Sequence, residues 1–134
     1  MKNLAILLLV GISACAAFAQ NSKAYAACSN GAKTQTEMNE CASAEASRAD
    51  KELKQVYVEV LTKAASVPDS AVKVKTAEQA WIAFRDAYIE ATYPAKDKAT
   101  EYGSMYPLEV ELLRAKLTRQ QVAALKDLWK KYGG

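Results

Sequence analysis

Histidine is absent from this chain of 134 residues. Histidine is the usual general base, a common zinc ligand and the partner of serine or cysteine nucleophiles, so its absence argues against catalytic sites of these kinds. The five glycines do not form a phosphate-binding loop. Carboxylate pairs such as Glu37 with Glu40 are common on solvated helix faces. We therefore predict a protein that is not an enzyme and that uses neither a metal nor a cofactor.

The net charge is low, and long apolar runs are scarce. The net charge is +3, which is too small to indicate nucleic acid or an anionic membrane surface as the partner. No apolar run beyond the N-terminal segment approaches the roughly 20 residues that a transmembrane helix needs. With 51% hydrophobic and 25% charged residues, the chain as a whole has the balance of one ordinary globular domain.

The N-terminal segment has the pattern of an export signal. Met1-Lys2-Asn3 is a short basic start, residues 4–11 are apolar, and Ala17-Phe18-Ala19 fits a signal-peptidase site. We expect a signal peptide over residues 1–19, a single domain over residues 20–134, and a periplasmic or secreted protein. A second interpretation uses residues 12–15 as a lipobox, in which Cys15 is lipidated and anchors the protein to a membrane without a membrane span. The sequence does not choose between the two cleavage sites.

Cysteine is used sparingly. Of the three cysteines, Cys15 is either removed with the signal peptide or acylated. Cys28 and Cys41 then remain, and in an oxidising compartment a disulfide between them is the default.

The first half of the chain predicts two long helices. Thr34 and Glu37 have the capping-box spacing, and apolar residues then recur every three or four positions to about residue 65. A turn at residues 66–69 leads into a second helix, which Pro94 ends. In that helix Trp81, Phe84 and Tyr88 follow the same three–four spacing, which predicts a buried face.

The second half of the chain is less regular. Residues 95–107 show no sustained period, and their tyrosines and Gly103 make this the best candidate for recognition. Residues 108–115 suggest a short helix, and Thr118 begins a second capping-box pattern that predicts a separate last helix. The whole pattern indicates an all-α fold: a small antiparallel bundle of two long helices plus short C-terminal helices, with a disulfide at the N-terminal end.

Several segments together resemble the N-terminal domain of the LprI-like lysozyme-inhibitor family. They are Cys28, Tyr57 and residues 34–42, 49–53, 79–87, 103–105 and 117–119, in order and spacing. The most specific piece is Gln79-Ala80-Trp81 followed by Phe84-Arg85-Asp86. The resemblance covers nearly all of the chain after the signal, and it implies an exported, α-helical protein linked by disulfides. A founding member of that family inhibits lysozyme.

The resemblance also suggests roles for individual residues. Asp50 and Arg85 each border an apolar stripe within a matched segment, so we expect a structural ion pair between the two long helices. The expected core contains Leu53, Tyr57, Trp81 and Phe84. Relatives commonly have a second cysteine pair, and its places here fall near Ile89 and Leu113, which are apolar. We expect these two residues to pack against each other instead.

The resemblance implies that this chain blocks the cleft of a lysozyme-type muramidase, which requires no catalytic residue. The expected contact residues are Tyr102, Gly103, Ser104 and Tyr106, on the irregular segment of residues 94–107. An alternative is a periplasmic binding or scaffolding module with another envelope partner. A third possibility is an enzyme that uses carboxylates alone. A lysozyme titration, a pull-down from envelope extracts and a lytic assay on peptidoglycan distinguish the three.

Overall fold

A computed structural model describes residues 21–133 of the protein. The elements are α1 (Lys23–Gly31), α2 (Gln35–Ala64), α3 (Ser70–Thr92), α4 (Lys98–Tyr102), a 3-10 turn (Gly103–Met105) and α5 (Tyr106–Tyr132). Within this range the fold is all-α, as the sequence predicts, and no helix is long and apolar enough to cross a membrane. The two longest helices, α2 and α5, pack along each other; α1 packs on α2, and α3 packs on both.

The start of α2 follows from local sequence. The Thr34 hydroxyl accepts a hydrogen bond from the Glu37 backbone N–H at 3.2 Å, and the Glu37 carboxylate accepts one from the Thr34 backbone N–H at 3.1 Å. Hydrogen bonds from the backbone N–H groups of Lys33 and Thr34 lower the pKa of Glu37. The predicted capping box is therefore confirmed, and it fixes the first turn of the longest helix.

The main core forms where α2, α3 and α5 meet. Its buried members are Leu53, Val56, Val60, Ala64, Val74, Val122 and Leu125, and the partly buried Tyr57, Leu61, Trp81, Leu128 and Tyr132 pack against them. A second cluster contains only Ala46, Ala49 and Ala115. These small side chains allow the backbones of α2 and α5 to approach closely midway along their contact.

Phe84 was expected in the core, and this expectation is wrong, because its side chain is 56% exposed. The face of α3 that turns inward carries Ser70, Val74, Glu78 and Ile89 as its buried residues, and Arg85 on the same face is partly buried. Phe84 lies one position before this stripe and contacts Tyr88, with ring centroids 5.7 Å apart. Of the three aromatics in the predicted stripe, Trp81 packs against the core, whereas Phe84 and Tyr88 are exposed. The buried stripe of α3 continues through the charged residues Glu78 and Arg85 instead.

The C-terminal part forms one helix of 27 residues instead of the expected short helices. Thr118 does not cap a new helix. It lies inside α5 and is completely buried, and its hydroxyl donates to Asp50 Oδ1 at 3.3 Å. The capping-box pattern is ineffective here because the preceding turns of α5 already supply partners for the backbone N–H groups, which leaves the threonine hydroxyl free for a contact with α2.

The predicted disulfide joins Cys28 of α1 to Cys41 of α2, with the two Cα atoms 5.7 Å apart. Helix α1 has no buried residue of its own. Its attachment therefore depends on the disulfide and on hydrogen bonds from Ser22, the residue that caps its N-terminus.

Apolar packing links the end of α3 to α5 around Ile89 and Leu113. Ile89, Val110 and Leu117 form a buried cluster, and Leu113 packs against it. Ile89 and Leu113 thus belong to one cluster, as expected from the sequence. This contact holds the end of α3 against α5, on either side of the segment that connects them.

Candidate partner-binding surfaces

The 3-10 turn before α5 is exposed, and we call Gly103, Ser104 and Met105 the turn surface. Gly103 has φ 67° and ψ −160°, a backbone region that is essentially restricted to glycine. A Cβ atom at this position would meet nothing within 4 Å. The glycine is therefore required by the backbone conformation and not by lack of space. Met105 is 45% exposed, so the turn presents a flexible apolar side chain beside small polar groups.

Three tyrosines pack beneath this turn, and we call Tyr93, Tyr102 and Tyr106 the tyrosine cluster. Tyr93 lies edge-on to the other two rings, at centroid distances of 5.3 Å from Tyr102 and 5.2 Å from Tyr106. Tyr102 and Tyr106 are stacked at 5.8 Å. Burial raises the pKa of Tyr93, and the neighbouring carboxylate of Glu109 adds to this effect. The cluster joins the end of α3, α4 and the start of α5.

The four predicted contact residues have different environments. Gly103 and Ser104 are exposed. Tyr102 and Tyr106 are half-buried in the tyrosine cluster, and the Tyr102 hydroxyl accepts a hydrogen bond from the Ala95 backbone N–H at 3.1 Å. The sequence analysis did not predict that Tyr93, at the end of the second long helix, would pack against Tyr102 and Tyr106. Its position directly before Pro94 was the available signal, because a helix end and a following reversal bring it close to Tyr102 and Tyr106.

A concavity of about 410 Å³ lies beside the turn surface, between the first turns of α2 and the start of α5. Its lining is mixed in character, with hydroxyl, amide and carboxylate groups around two apolar residues. The lining residues are Thr36, Asn39, Glu40, Ser43, Tyr106, Pro107, Val110 and Glu111.

A second concavity, of about 390 Å³, lies between α2 and α3, and we call it the acidic groove after the two carboxylates on its walls, Asp50 and Glu78. It is lined by Asp50, Leu53, Lys54, Tyr57, Glu78, Ile82 and Arg85. The expected partners Asp50 and Arg85 face each other here, with Arg85 Nη1 3.9 Å from Asp50 Oδ1. Arg85 makes closer contacts with Asp86, whose Oδ1 lies 2.9 Å from both Nε and Nη2.

Glu78 is the most buried charged residue of the acidic groove, with 6% of its surface exposed. The Gln121 side-chain amide donates to Glu78 Oε2 at 2.8 Å. Sequence reasoning missed this contact because Glu78 precedes the aromatic stripe and resembles a residue of a solvated helix face. The only signal was its spacing of four from Val74 and seven from Arg85, along the face that α3 buries.

Glu45 lies in a completely buried position on α2. Both of its oxygens accept hydrogen bonds at 2.6 Å from Ser22, through the backbone N–H and the hydroxyl. Arg48 Nη2 donates at 2.7 Å, and Arg119 of α5 also donates. Burial opposes ionisation, but these donors outweigh it and lower the pKa of Glu45 from 4.5 to about 2. The saturated hydrogen bonding indicates a structural role in joining α1, α2 and α5.

Some predicted features lie outside the described residues. These are the signal peptide of residues 1–19 and the candidate lipidation site Cys15. In residues 21–133, cysteine, aspartate and glutamate side chains form no group of three that could hold a metal ion.

These features define a small, disulfide-linked α-helical protein with an exposed turn and two concave surfaces. The comparison with protein families then assigns it to a family. Residues 27–125 match the family described as "Lysozyme inhibitor LprI", and the chain belongs to that family. No curated protein and no solved structure matches the chain significantly.

Proposed function

We propose that the protein inhibits a lysozyme-type muramidase by placing the turn surface in the substrate cleft of the enzyme. The observation that carries this proposal is the exposed turn Gly103–Met105 above the tyrosine cluster. A cleft that binds a polysaccharide is concave, so a protein that blocks it needs a projecting segment. Membership of a family named for lysozyme inhibition supports the same function.

Packing below the turn favours tight binding. The ring contacts of Tyr93, Tyr102 and Tyr106 reduce the number of conformations available to the turn before binding. A segment that is ordered in advance loses less conformational entropy on association. The concavity beside the turn offers Glu40 and Glu111 as further contacts for the rim of the cleft.

The site of action follows from the substrate of lysozyme. An exported inhibitor, periplasmic or held at a membrane through Cys15, would protect the peptidoglycan of the cell that exports it. Lysozymes are often basic, whereas this chain has a net charge of +3, so overall electrostatic attraction is weak. The α2 segment from residue 37 to residue 59 has six acidic and three basic residues. Glu45 among them is buried and paired, so the other five acidic residues give the segment a smaller local excess of negative charge. The protein acts by binding, without a catalytic residue of its own.

The test is a titration of c-, g- and i-type lysozymes with the mature protein in a cell-wall lysis assay. We expect stoichiometric inhibition of at least one lysozyme. Ser104→Arg places a bulky charge on the turn surface and should weaken inhibition by at least about tenfold. Ser66→Arg is the control, because Ser66 is exposed in the connection after α2, at the opposite end of that helix.

If a large molar excess leaves every lysozyme of the panel active, the proposed function is wrong, and a binding module with another envelope partner takes its place. If Ser104→Arg and Ser66→Arg inhibit equally well, inhibition does not use the turn surface.

A further inference from the structure

We propose that the acidic groove binds an arginine or lysine side chain of the inhibited lysozyme. The identity of this partner rests on the proposed function, whereas the preference for a cationic side chain comes from the groove itself. The turn surface and the acidic groove would then be two separate contact regions for one enzyme.

The first observation is the incomplete hydrogen bonding of Glu78. The residue is 6% exposed, yet only its Oε2 accepts a hydrogen bond from residues 21–133, from Gln121. The residue also lines the acidic groove. Its Oε1 is not sealed in the core, so it is open to a donor that enters the groove. A donor that enters the groove would supply the missing hydrogen bond.

Asp50 provides a second acceptor on the opposite wall. Its Oδ1 accepts from the Thr118 hydroxyl at 3.3 Å and faces Arg85 at the longer distance of 3.9 Å. Its Oδ2 accepts no hydrogen bond from the described part of the chain. Arg85 does not neutralise this wall fully, since its Nε and Nη2 atoms are directed to Asp86.

The bonding of the charged groups in the lining favours a cation. The lining has two carboxylates, Asp50 and Glu78, and two cations, Arg85 and Lys54. Asp86 lies outside the lining and pairs with Arg85, which leaves Lys54 as the one lining cation without a close carboxylate partner in the described residues. Lys54 is exposed at the rim and forms no salt bridge with residues 21–133. An anionic ligand would therefore meet two under-bonded carboxylates, and an apolar group would cover the free oxygen of Glu78 without a donor. A guanidinium or ammonium group satisfies both carboxylates.

The apolar walls fit the rest of a basic side chain. Leu53 and Ile82 can cover an aliphatic stem, as basic side chains commonly bury their methylene groups while the charged end remains polar. Tyr57 adds an aromatic ring, which attracts cations. The volume of about 390 Å³ is at the lower end of the range for small ligand sites, which suits one side chain better than a large cofactor.

The direct test uses acetyl-arginine amide as a probe on the full mature protein, observed by NMR. We expect saturable shifts of the Trp81 indole N–H and the Ile82 methyl groups, and no comparable shifts with the uncharged acetyl-norleucine amide. Glu78→Gln should weaken binding of the probe by at least about tenfold, because it removes the charge but keeps an acceptor for Gln121. Glu59→Gln is the matched control, since Glu59 is an exposed carboxylate of α2 outside the groove.

Lys54→Ala gives an independent test with the opposite sign. Removal of the exposed cation at the rim should tighten binding of the probe by a few-fold without disturbing the core. The inference is overturned if the probe leaves the groove signals unchanged, or if Glu78→Gln and Glu59→Gln have equal effects.

The same variants separate this inference from the proposed function. In the lysozyme titration, Glu78→Gln should raise the inhibition constant by about tenfold relative to Glu59→Gln. If the wild-type protein inhibits lysozyme but does not bind the probe, only the inference about the acidic groove is contradicted. A protein that binds the probe and inhibits no lysozyme contradicts the proposed function and the assignment of lysozyme as the partner.

Discussion

Glu45 shows how a charged residue can occupy a core position. Its two oxygens receive hydrogen bonds from Ser22, Arg48 and Arg119, so the charge is not isolated within the protein. The arrangement joins α1, α2 and α5, and α1 has no buried residue of its own to hold it in place. A buried charge of this kind is strongly destabilising when one partner is removed, because the remaining charge is left without compensation.

The pH dependence of stability follows from the pKa of Glu45. That pKa is about 2 in the folded protein, below the ordinary value of 4.5. The stabilisation is therefore complete above about pH 4.5 and is lost as the pH falls toward 2, and it amounts to about 3 kcal/mol. Urea unfolding between pH 7 and pH 2 should show wild type much more stable than Glu45→Gln at neutral pH. The two proteins should converge near pH 2, and a constant difference across this range would contradict the assignment.

Gly103 provides a test of backbone conformation. Gly103→Ala forces a Cβ into φ 67°, so we expect a loss of about 1–3 kcal/mol in the free energy of unfolding. No clash contributes, since a Cβ at this position meets nothing within 4 Å. Gly31→Ala is the control, because that Cβ is equally unobstructed and Gly31 ends α1 with negative φ. Chemical denaturation should show Gly31→Ala close to wild type; equal losses in the two variants would mean that the turn conformation is not the cause.

At the scale of elements, α1 depends on its covalent link. The helix contributes no buried residue, and the disulfide from Cys28 to Cys41 closes a separation of 13 residues. Replacing both cysteines by serine should cost about 3 kcal/mol. Hydrogen exchange should become fast throughout α1 while α5 keeps most of its protection. Two free thiols in the non-reduced mature protein, detected by mass spectrometry after alkylation, would show that this link is absent in solution.

Elements whose signals are local were predictable from the sequence. The start of α2 follows from Thr34 and Glu37 alone, and the end of α3 follows from Pro94. The continuity of α5 was not predictable in this way, because Thr118 has a capping-box pattern but uses its hydroxyl for Asp50 of another helix. That choice depends on tertiary packing, which spacing within one segment does not encode.

The face that α3 buries could not be inferred from the spacing of its apolar residues. Apolar spacing favoured Phe84, whereas packing selected Glu78 and Arg85, whose partners lie on α2 and α5. The expected contact between Asp50 and Arg85 could be inferred because both border apolar stripes, but the closer contact of Arg85 with Asp86 could not. The acidic groove combines residues from two helices, so only the assembled bundle reveals it.

At the scale of the whole molecule, the two proposed contact regions are close enough for one partner. The turn surface lies beside the concavity that includes Ser43, and the acidic groove includes Asp50, seven residues further along α2. At a rise of 1.5 Å per residue the two regions are separated by roughly 10 Å along the helix. A typical interface covers about 800 Å² on each partner, so a single lysozyme molecule can contact both.

This geometry predicts how combined variants behave. If both regions contact one enzyme molecule, the losses of binding free energy from Ser104→Arg and Glu78→Gln should add in the double variant, because the two sites share no partner residue. Isothermal titration should then give one lysozyme per inhibitor for all variants, with single losses of about tenfold and a combined loss of about a hundredfold. Ser66→Arg combined with Glu59→Gln controls for the added charge. A double variant no weaker than Ser104→Arg alone would show that the acidic groove lies outside the interface with lysozyme.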